Sequence, residues 1–286
     1  MGIGDWFKRT FGKQPCAFCN AEVGMLKRTK IKNKEYICND CSRKCSRFID
    51  KYRFTKDELL GNMEYMKRQE KLYNEILGAP SRVVPSASSE MSIEFYDEAG
   101  MFRIRDDDYD NRYAKELFRY DQVAKYEPFC NESEPEEQGK PKVFDSCGVI
   151  ITLVGAQTDM TELRQGLRPH PYIDKELEVI INKRDKEIGM LDVNHIICHF
   201  DYIFGVGDNT KGLFSFGPTK QQKREGEAVK AMGGVFAAAI NAAKNGGEVS
   251  EEVKAQVQDA MNKVEDASTG GLAEYSRRAD EAEAKI

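Results

Sequence analysis

Residues 16–41 read CAFCNAEVGMLKRTKIKNKEYICNDC, and this stretch decides how the first part of the chain folds. Two pairs of cysteines enclose a segment that is rich in lysine. Two residues separate the cysteines within each pair, and eighteen residues separate the pairs. A pair with this spacing can form a tight turn that directs both thiols at one point, and the longer segment can form a hairpin that returns the chain to that point.

This cysteine spacing is typical of a zinc ion bound by four thiolates. We expect one structural Zn²⁺ ion at Cys16, Cys19, Cys38 and Cys41. Four sulfur ligands leave no coordination position for water, which favours a structural metal over a catalytic one. Free thiols or a redox function are the alternative interpretation. Cys45 could replace Cys41 as the fourth ligand, but burial as a small apolar side chain is the favoured interpretation for it.

The composition indicates a soluble intracellular protein of roughly two domains. The chain has 286 residues, of which 40% are hydrophobic and 32% are charged. No apolar run approaches the ~18 residues that are needed to span a bilayer. The opening MGIGDWFKRTFGKQP lacks the apolar core and the cleavage site of a signal peptide, so we expect a cytoplasmic location with reduced thiols.

The charge is distributed unevenly along the chain. Residues 1–56 contain 14 Lys and Arg against 5 Asp and Glu, and the remaining residues contain 29 against 43. Five cations between the cysteine pairs form a basic arm, which consists of Lys27, Arg28, Lys30, Lys32 and Lys34. The basic arm could contact an anionic partner such as nucleic acid. Solvated lysines that offset the negative charge of a four-thiolate zinc centre are the favoured interpretation.

The pattern along the chain predicts an α+β protein with six segments. The periodicity of apolar residues changes from helical to alternating near Met91, and it returns to helical near Val229. The predicted segments are a zinc ribbon (1–54), a connecting helix (55–78), a Pro/Ser-rich linker (79–90), an antiparallel β domain (91–206), a second linker (207–222), and a C-terminal helical hairpin with a polar tail (223–286).

The connecting helix has clear signals at both ends. Thr55 can cap its start, and Gly78 with Pro80 can end it. A mostly apolar stripe at near-helical spacing predicts its buried face, which consists of Leu59, Met63, Met66, Glu70, Tyr73 and Leu77.

The β domain is predicted from short alternating segments. SIEFYDEAGMFRIRD indicates two strands with a turn at Asp97–Gly100, and KELFRYDQVAKYEPF, CGVIITLVGA and LEVIINK indicate further strands. NHIICHFDYIFGVG continues in the same style, although part of it is compatible with a helix. Few helices intervene, so we expect an antiparallel sheet or a small barrel.

Two apolar faces at helical spacing predict the C-terminal hairpin, with Ser250 as a cap between them. They consist of Val229, Met232, Phe236, Ile240 and Ala243, and of Val253, Val257, Met261 and Val264. The first helix is rich in Ala and Gly and poor in basic residues, which favours docking or self-association over binding along a membrane surface. The end, GGLAEYSRRADEAEAKI, is expected to be a polar tail.

Other clusters of reactive residues favour structural interpretations. His195, Cys198 and His199 would share one face of a helix, but in a strand Cys198 points away, so a second metal site is not favoured. His170 is expected in a loop. The acidic run at residues 106–110 lacks the glycine of a calcium loop and is expected to be a solvated turn. We find no nucleophile motif, P-loop or dinucleotide fingerprint, so we do not expect an enzyme.

The chain resembles a bacterial family of unknown function whose members begin with a zinc ribbon. The segments that carry the resemblance are DWFKRTFGK, CAFCNAEVGML, KRTKIKNKEYICNDC, SRFIDKYRFT and KDELLGNMEYMKRQEKL. Downstream, IEFYDEAGMFRI, ELFRYDQVAKYE and HPYIDKELEVIIN resemble phrases of a bacterial pleckstrin-homology-like domain, and INAAKNGGEVSEEVKAQVQDAM is similar to the helical hairpin that often follows. The resemblance implies a zinc ribbon, a pleckstrin-homology-like domain and a hairpin, and it implies no activity.

Together these features favour a non-enzymatic, zinc-stabilised adaptor. We expect it to bind a protein partner and to form a homo-oligomer through its C-terminal helices. The alternatives are a nucleic-acid-binding regulator that uses the basic arm, and recruitment to a membrane surface through the pleckstrin-homology-like domain.

Overall fold

The computed structural model describes residues 12–85, 90–110, 112–135, 140–155, 165–174, 176–206, 220–244, 251–269 and 271–286. The fold is α+β, as predicted, with a small cysteine-rich β region, central antiparallel sheets and C-terminal helices. Among these residues, no helix combines the length and apolarity that crossing a membrane requires. The Phe-containing opening segment, most of the second linker and the proposed cap Ser250 lie outside the described residues.

The cysteine module, residues 12–54, contains two short antiparallel hairpins. Its strands are β1 (Gln14–Pro15), β2 (Glu22–Val23), β3 (Arg28–Lys30) and β4 (Tyr36–Cys38), and they are followed by the one-turn helix α1 (Asn39–Ser42). Strand β1 pairs with β2, and β3 pairs with β4. Asn33 and Lys34 adopt left-handed backbone conformations (φ 65° and 66°), which reverse the chain between β3 and β4.

Helix α2 (Lys56–Ile76) begins as the sequence predicts. The Thr55 hydroxyl accepts a hydrogen bond from the Glu58 amide, and the Thr55 amide donates to Glu58 Oε2 at 2.7 Å. The buried face follows the predicted stripe only over the first half of the helix. It then shifts by one residue, so that Leu77 is exposed and Tyr73 only partly buried; the buried residues are Leu59, Asn62, Met63, Met66, Gln69, Leu72 and Ile76.

The four-stranded sheet has the order β5-β6-β7-β8, with antiparallel neighbours. Its strands are β5 (Arg82–Val84), β6 (Ser92–Tyr96), β7 (Met101–Arg105) and β8 (Phe118–Arg119). Gly100, at φ 63°, ends the turn that the sequence predicts between β6 and β7. Strand β5 lies within the predicted linker 79–90, because three residues that add an edge to a sheet leave no periodic pattern. The acidic run before β8 contains the one-turn helix α3 (Asp107–Asp110).

The three-stranded sheet has the order β11-β10-β9 and is also antiparallel. Its strands are β9 (Val123–Ser133), β10 (Val143–Leu153) and β11 (Glu176–Asn182). Helix α4 (Lys186–Phe204) packs on this sheet, so the prediction of a strand for NHIICHFDYIFGVG is wrong for most of its length. The side chain of Asp185 caps α4 by accepting a hydrogen bond from the Ile188 amide at 3.0 Å.

Three helices follow, namely α5 (Lys220–Lys244), α6 (Glu251–Ser268) and α7 (Leu272–Glu283). Helices α5 and α6 pack against each other as the predicted hairpin. The expected polar tail is instead the amphipathic helix α7, which packs on the turns beside β7 and β8. Leu272, Tyr275 and Ala279 of α7 are buried there.

Aromatic side chains form the centre of the core between the two sheets and α4. The Phe102 ring lies 5.4 Å from that of Phe118, 5.9 Å from that of Tyr120 and 5.5 Å from that of Phe200. This core continues into the cysteine module, because the Phe48 ring contacts that of Phe118 edge-on at 5.3 Å. The cysteine module is therefore anchored on the central sheets.

Candidate metal centre

The four predicted ligands are positioned by the two hairpins of the cysteine module. Cys16 and Cys19 belong to the turn between β1 and β2, where Asn20 adopts a left-handed conformation at φ 60°. Cys38 ends β4, and Cys41 lies in α1. The Ala17 amide donates to the Tyr36 carbonyl at 2.8 Å, which joins the first turn to β4 and brings the two cysteine pairs together.

The four sulfur atoms converge on one point. All of them lie within 4.8 Å of one another, and Cys19 Sγ is 3.7 Å from Cys38 Sγ. A tetrahedral zinc ion with Zn–S bonds of ~2.3 Å would separate its ligands by ~3.8 Å. The Cys38 amide donates to Cys16 Sγ at 3.3 Å, and the Cys41 amide donates to Cys38 Sγ at 3.4 Å. These donors stabilise negative charge on the sulfurs, as thiolate ligands require.

The thiols differ in their tendency to ionise. Burial raises the pKa of Cys16, but hydrogen bonds from the amides of Cys38, Cys19 and Phe18 outweigh it and lower the pKa to about 6. Burial raises the pKa of Cys41 well above its usual range, and the neighbouring Cys38 and Cys19 thiols raise it further. Four adjacent thiolates therefore require a cation among them, which is the property of a metal site.

Cys45 is buried elsewhere in the core of the cysteine module. Its exposed fraction is 1%, and its sulfur is not part of the group formed by the four converging cysteines. Burial raises the pKa of its thiol to about 11, and Lys51 offsets this only in part. The geometry thus agrees with the interpretation of Cys45 as a small buried side chain.

The structure separates the basic arm into one structural cation and four surface lysines. The Arg28 guanidinium donates to the Gly12 carbonyl at 2.7 Å and lies 4.5 Å from the centre of the Tyr36 ring. The lysines are exposed around the β3–β4 hairpin at positions 27, 30, 32 and 34. Sequence reasoning missed two apolar residues beside them, Met25 and Leu26, whose exposed fractions are 44% and 89%.

The other candidate cluster does not form a metal site. His195 and Cys198 are exposed on α4, whereas His199 is buried, with Nε2 at 3.2 Å from Asp97 Oδ1. The His199 ring also packs on the Phe95 ring at 4.0 Å. Within the described part of the chain, the four converging cysteines are the one group of three or more potential ligands close enough to share an ion.

A buried polar cluster that sequence reasoning missed joins the cysteine module to α2 and the sheets. The Ser46 hydroxyl donates to Glu116 Oε2 at 2.5 Å, and the Ser46 amide donates to Asn62 Oδ1 at 2.9 Å. His170, expected only as a loop residue, is 1% exposed and lies 3.0 Å from the Tyr65 hydroxyl. These residues are distant in sequence, so no local pattern could have identified the cluster.

A cavity of about 240 Å³ lies between α2, the loop before β11 and the end of α7. Its charged lining includes Arg68, Arg119, Arg168 and Glu283. The Arg119 guanidinium is already paired with Asp121 and Asp280, each at 2.8 Å, and with Glu283 at 3.0 Å. These carboxylates neutralise Arg119, so the cavity does not present it to an anionic ligand.

A comparison with protein families finds a match that covers the candidate metal centre. Residues 14–62 match the family model described as a domain of unknown function (DUF4428). The match extends from β1 through the cysteine module into the first turns of α2. No curated protein and no solved structure matches the chain.

Proposed function

We propose that this protein is a non-enzymatic scaffold whose cysteine module is stabilised by one structural zinc ion. The observation that carries the proposal is the convergence of the sulfur atoms of Cys16, Cys19, Cys38 and Cys41 within 4.8 Å. Four thiolates complete a tetrahedron and leave no position for a reacting water. Three of the four cysteines are buried, which also suits a structural ion.

The surface of the cysteine module supports a function in binding a protein partner. Met25 and Leu26 are exposed neighbours, Lys27 follows them directly in the chain, and the other exposed lysines of the basic arm lie further along the β3–β4 hairpin. Exposed apolar residues next to a run of exposed cations fit a partner with an apolar pocket in an acidic surface, because burial of the apolar residues adds affinity and the charges orient the encounter.

The C-terminal helices support self-association. Val229 and Met232 on α5 are exposed by 73% and 42%, and Met261 and Val264 on α6 by 61% and 41%. Sequence analysis placed these residues on apolar faces, and the hairpin leaves them at its surface. A second copy of the chain would cover them.

We also propose that residues 91–206 form a pleckstrin-homology-like domain. The antiparallel sheets and the helix α4 that follows them support this proposal.

Metal analysis of the full chain tests the zinc centre. We expect one zinc ion per chain in protein purified under reducing conditions, and loss of most of it in Cys38→Ser, because a missing thiolate opens the tetrahedron. Cys198→Ser is the control, since Cys198 is exposed on α4. Cys45→Ser should also retain zinc if Cys41 is the fourth ligand. Wild-type protein without stoichiometric metal would refute the proposal.

Sedimentation tests self-association. The full chain should form a defined oligomer that dissociates when Val229 and Met261 are both replaced by Ser. Leu77→Ser is the matched control, because Leu77 is exposed and directly follows α2. A wild-type monomer at all concentrations would remove this part of the proposal and leave the zinc scaffold unaffected.

Nucleic-acid binding is the second candidate, and the four exposed lysines of the basic arm favour it. Binding through these lysines would weaken steeply as salt increases, and replacing Lys30 and Lys32 by Gln should reduce that salt dependence. Binding to a protein partner through Leu26 would instead be lost in Leu26→Ser. Absence of binding to single- and double-stranded nucleic acids at low salt would exclude this candidate.

A further inference from the structure

Two cysteines outside the candidate metal centre lie directly opposite each other in the three-stranded sheet. Cys130 on β9 pairs with Cys147 on β10, and the neighbouring pairs Asn131–Ser146 and Phe129–Gly148 fix this register. Directly opposite residues of an antiparallel ladder project to the same face of the sheet. The two thiols are therefore neighbours, although seventeen positions separate them in the sequence.

The two thiols have different environments. Cys130 is exposed, whereas Cys147 is completely buried under α4. A Cβ atom at Gly189 of α4 would collide with Cys147 Sγ, so the absence of a side chain at Gly189 makes room for this sulfur. The Asn182 backbone amide also hydrogen-bonds to the Cys147 thiol. The buried sulfur is thus held in a fixed position beside an accessible one.

A cation lies near the accessible thiol. Lys186, the first residue of α4, donates to Glu132 Oε1 at 2.6 Å. The pKa of Lys186 is raised mainly by this hydrogen bond, and Cys130 contributes to the same direction. The Lys186–Glu132 ion pair is therefore a charged neighbour of Cys130 in the folded protein.

The spacing of opposite strand residues permits a disulfide bond. Such residues have Cα atoms about 4.5–5.5 Å apart, which lies within the 4.4–6.8 Å range of disulfides. Their Cβ atoms, about 4.5–5.5 Å apart, are at the upper end of the disulfide range or beyond it. A bond between Cys130 and Cys147 could therefore form with little backbone movement, but under strain, and strained disulfides are readily reduced.

We propose that Cys130 and Cys147 form a reversible dithiol oxidation site whose substrate is a hydroperoxide. The Cys130 thiolate attacks the terminal peroxide oxygen, and the O–O bond breaks to give the Cys130 sulfenic acid and an alkoxide, which is hydroxide when the substrate is hydrogen peroxide. The Cys147 sulfur then attacks the Cys130 sulfur, the S–O bond breaks, and water leaves with the Cys147 proton. Two electrons pass from the thiols to one peroxide, and two molecules of a small thiol reverse the reaction by disulfide exchange.

The order of reaction follows from accessibility. An oxidant in solution reaches the exposed Cys130 first, and Cys147 is positioned to react with the intermediate because it is the opposite residue. Cys198 is also exposed, and it lies on α4 nine residues beyond Gly189, about 13 Å along the helix. Cys198 is thus an internal control, because it is an exposed thiol that does not lie opposite Cys147.

Peptide mapping of the full, zinc-loaded chain tests the proposal. The protein is treated with one equivalent of hydrogen peroxide, free thiols are alkylated, and the digest is analysed by mass spectrometry. We expect a linked pair of peptides that contain Cys130 and Cys147, with the mass loss of two hydrogens, and recovery of both thiols after dithiothreitol. Cys147→Ser should accumulate the Cys130 sulfenic acid, which dimedone traps, and Cys130→Ser should leave Cys147 unmodified.

Two results would overturn the proposal. The first is that peroxide oxidises Cys198, but Cys130 and Cys147 are both still alkylated when the treated protein is unfolded. The second is a Cys130 sulfenic acid that persists as long in the wild type as in Cys147→Ser. Replacement of the exposed Cys130 does not disturb the core, so that variant stays informative if Cys147→Ser is poorly folded.

Discussion

Glu116 is a buried carboxyl group, and its environment controls its charge. Burial raises its pKa to about 7, while the hydrogen bond from Ser46 and the charges of Arg47 and Lys51 lower it. Burial outweighs these effects because no lysine or arginine in the described part of the chain forms an ion pair with the carboxyl. Its second oxygen, Oε1, has no hydrogen-bond partner among the described protein atoms. Ionisation of Glu116 in the folded state is therefore costly.

Replacing Glu116 by Gln should remove a pH dependence of stability. In the unfolded chain the carboxyl ionises near its ordinary pKa of 4.5, and in the folded protein near 7. Between these values the folded state holds the extra proton, so the contribution of Glu116 to the free energy of unfolding falls as pH rises, by about 3 kcal/mol in total. Glu116→Gln should remove this loss. Urea denaturation between pH 5 and 8 measures it, with the exposed Glu75→Gln as the control.

His170 changes the free energy of unfolding with pH in the opposite direction. Its Nδ1 accepts hydrogen bonds from the amides of Tyr172 (3.2 Å) and Ile173 (2.9 Å), so this nitrogen carries no proton. The neutral ring therefore has its proton on Nε2 and carries no charge. For this reason the 3.9 Å distance between Nε2 and Glu116 Oε1 is not an ion pair while His170 is neutral. Burial lowers the pKa of His170 to about 3, so stability rises between pH 3 and the usual histidine pKa of 6.5.

These opposing slopes sharpen the Glu116 experiment. The wild-type free energy of unfolding should change little between pH 4.5 and 6.5, because the proton held by Glu116 in the folded state balances the proton that His170 takes up on unfolding. In Glu116→Gln the rise due to His170 should become visible over this range. A variant whose stability still falls between pH 6.5 and 7, where the wild type loses stability because only the Glu116 proton remains linked to folding, would contradict the assigned protonation of Glu116.

At the scale of elements, local signals decided which predictions succeeded. The helix cap at Thr55 and the turn at Asp97–Gly100 depend on residues that are adjacent in the sequence, and both were predicted. Helix α4 was predicted as a strand because its dense apolar residues satisfy both periods, and burial against the sheet favours such a composition in either element. Strand β5 and helix α7 depend on partners that are distant in sequence, so no local pattern revealed them.

The turn at Gly100 should be the most sensitive point between the sheet and α7. Gly100 has φ 63°, and a Cβ atom there would collide with the Tyr275 backbone carbonyl of α7. We expect Gly100→Ala to cost the ~1 kcal/mol of a left-handed alanine and, in addition, the displacement of α7. Gly166→Ala is the matched control, because Gly166 has φ 83° and its nearest neighbour would be 3.9 Å away.

Chemical denaturation of both variants separates the two costs. Gly166→Ala should lose about 1 kcal/mol, and Gly100→Ala clearly more. Equal losses would mean that α7 adapts to the added methyl group, or that its contact with the Gly100 turn contributes little to stability.

For the whole molecule, the α+β class and the cysteine cluster could be predicted from the sequence. The hydrophobic core that joins the predicted segments could not. One core extends from Cys16 to Tyr275, across segments that the sequence presents as separate by their charge and periodicity. Arg119 illustrates the reason, since its partners Asp280 and Glu283 lie in the expected tail. Contacts of this kind follow from the assembled fold and cannot be read from spacing.

The continuous core predicts that the metal supports the central sheets as well as the cysteine module. Arg47 donates to the Ile104 carbonyl of β7 at 3.0 Å, and the Phe48 ring packs on the Phe118 ring of β8. Removing zinc with a chelator under reducing conditions should unfold the cysteine module, since folding and metal binding are coupled. Loss of these contacts should then weaken the four-stranded sheet. Amide hydrogen exchange of zinc-loaded and chelated protein measures both effects.

We expect amide protection in β6 and β7 to fall at least ~10-fold on chelation, which corresponds to ~1.4 kcal/mol of opening free energy. Helix α6 is the internal control, because Ala260 is its one fully buried residue among those described, and its exchange should not change. Lost protection confined to residues 12–54 would show that the sheets are stable without the metal. The metal would then stabilise only its own module, and the Phe48–Phe118 contact would join two units that unfold independently.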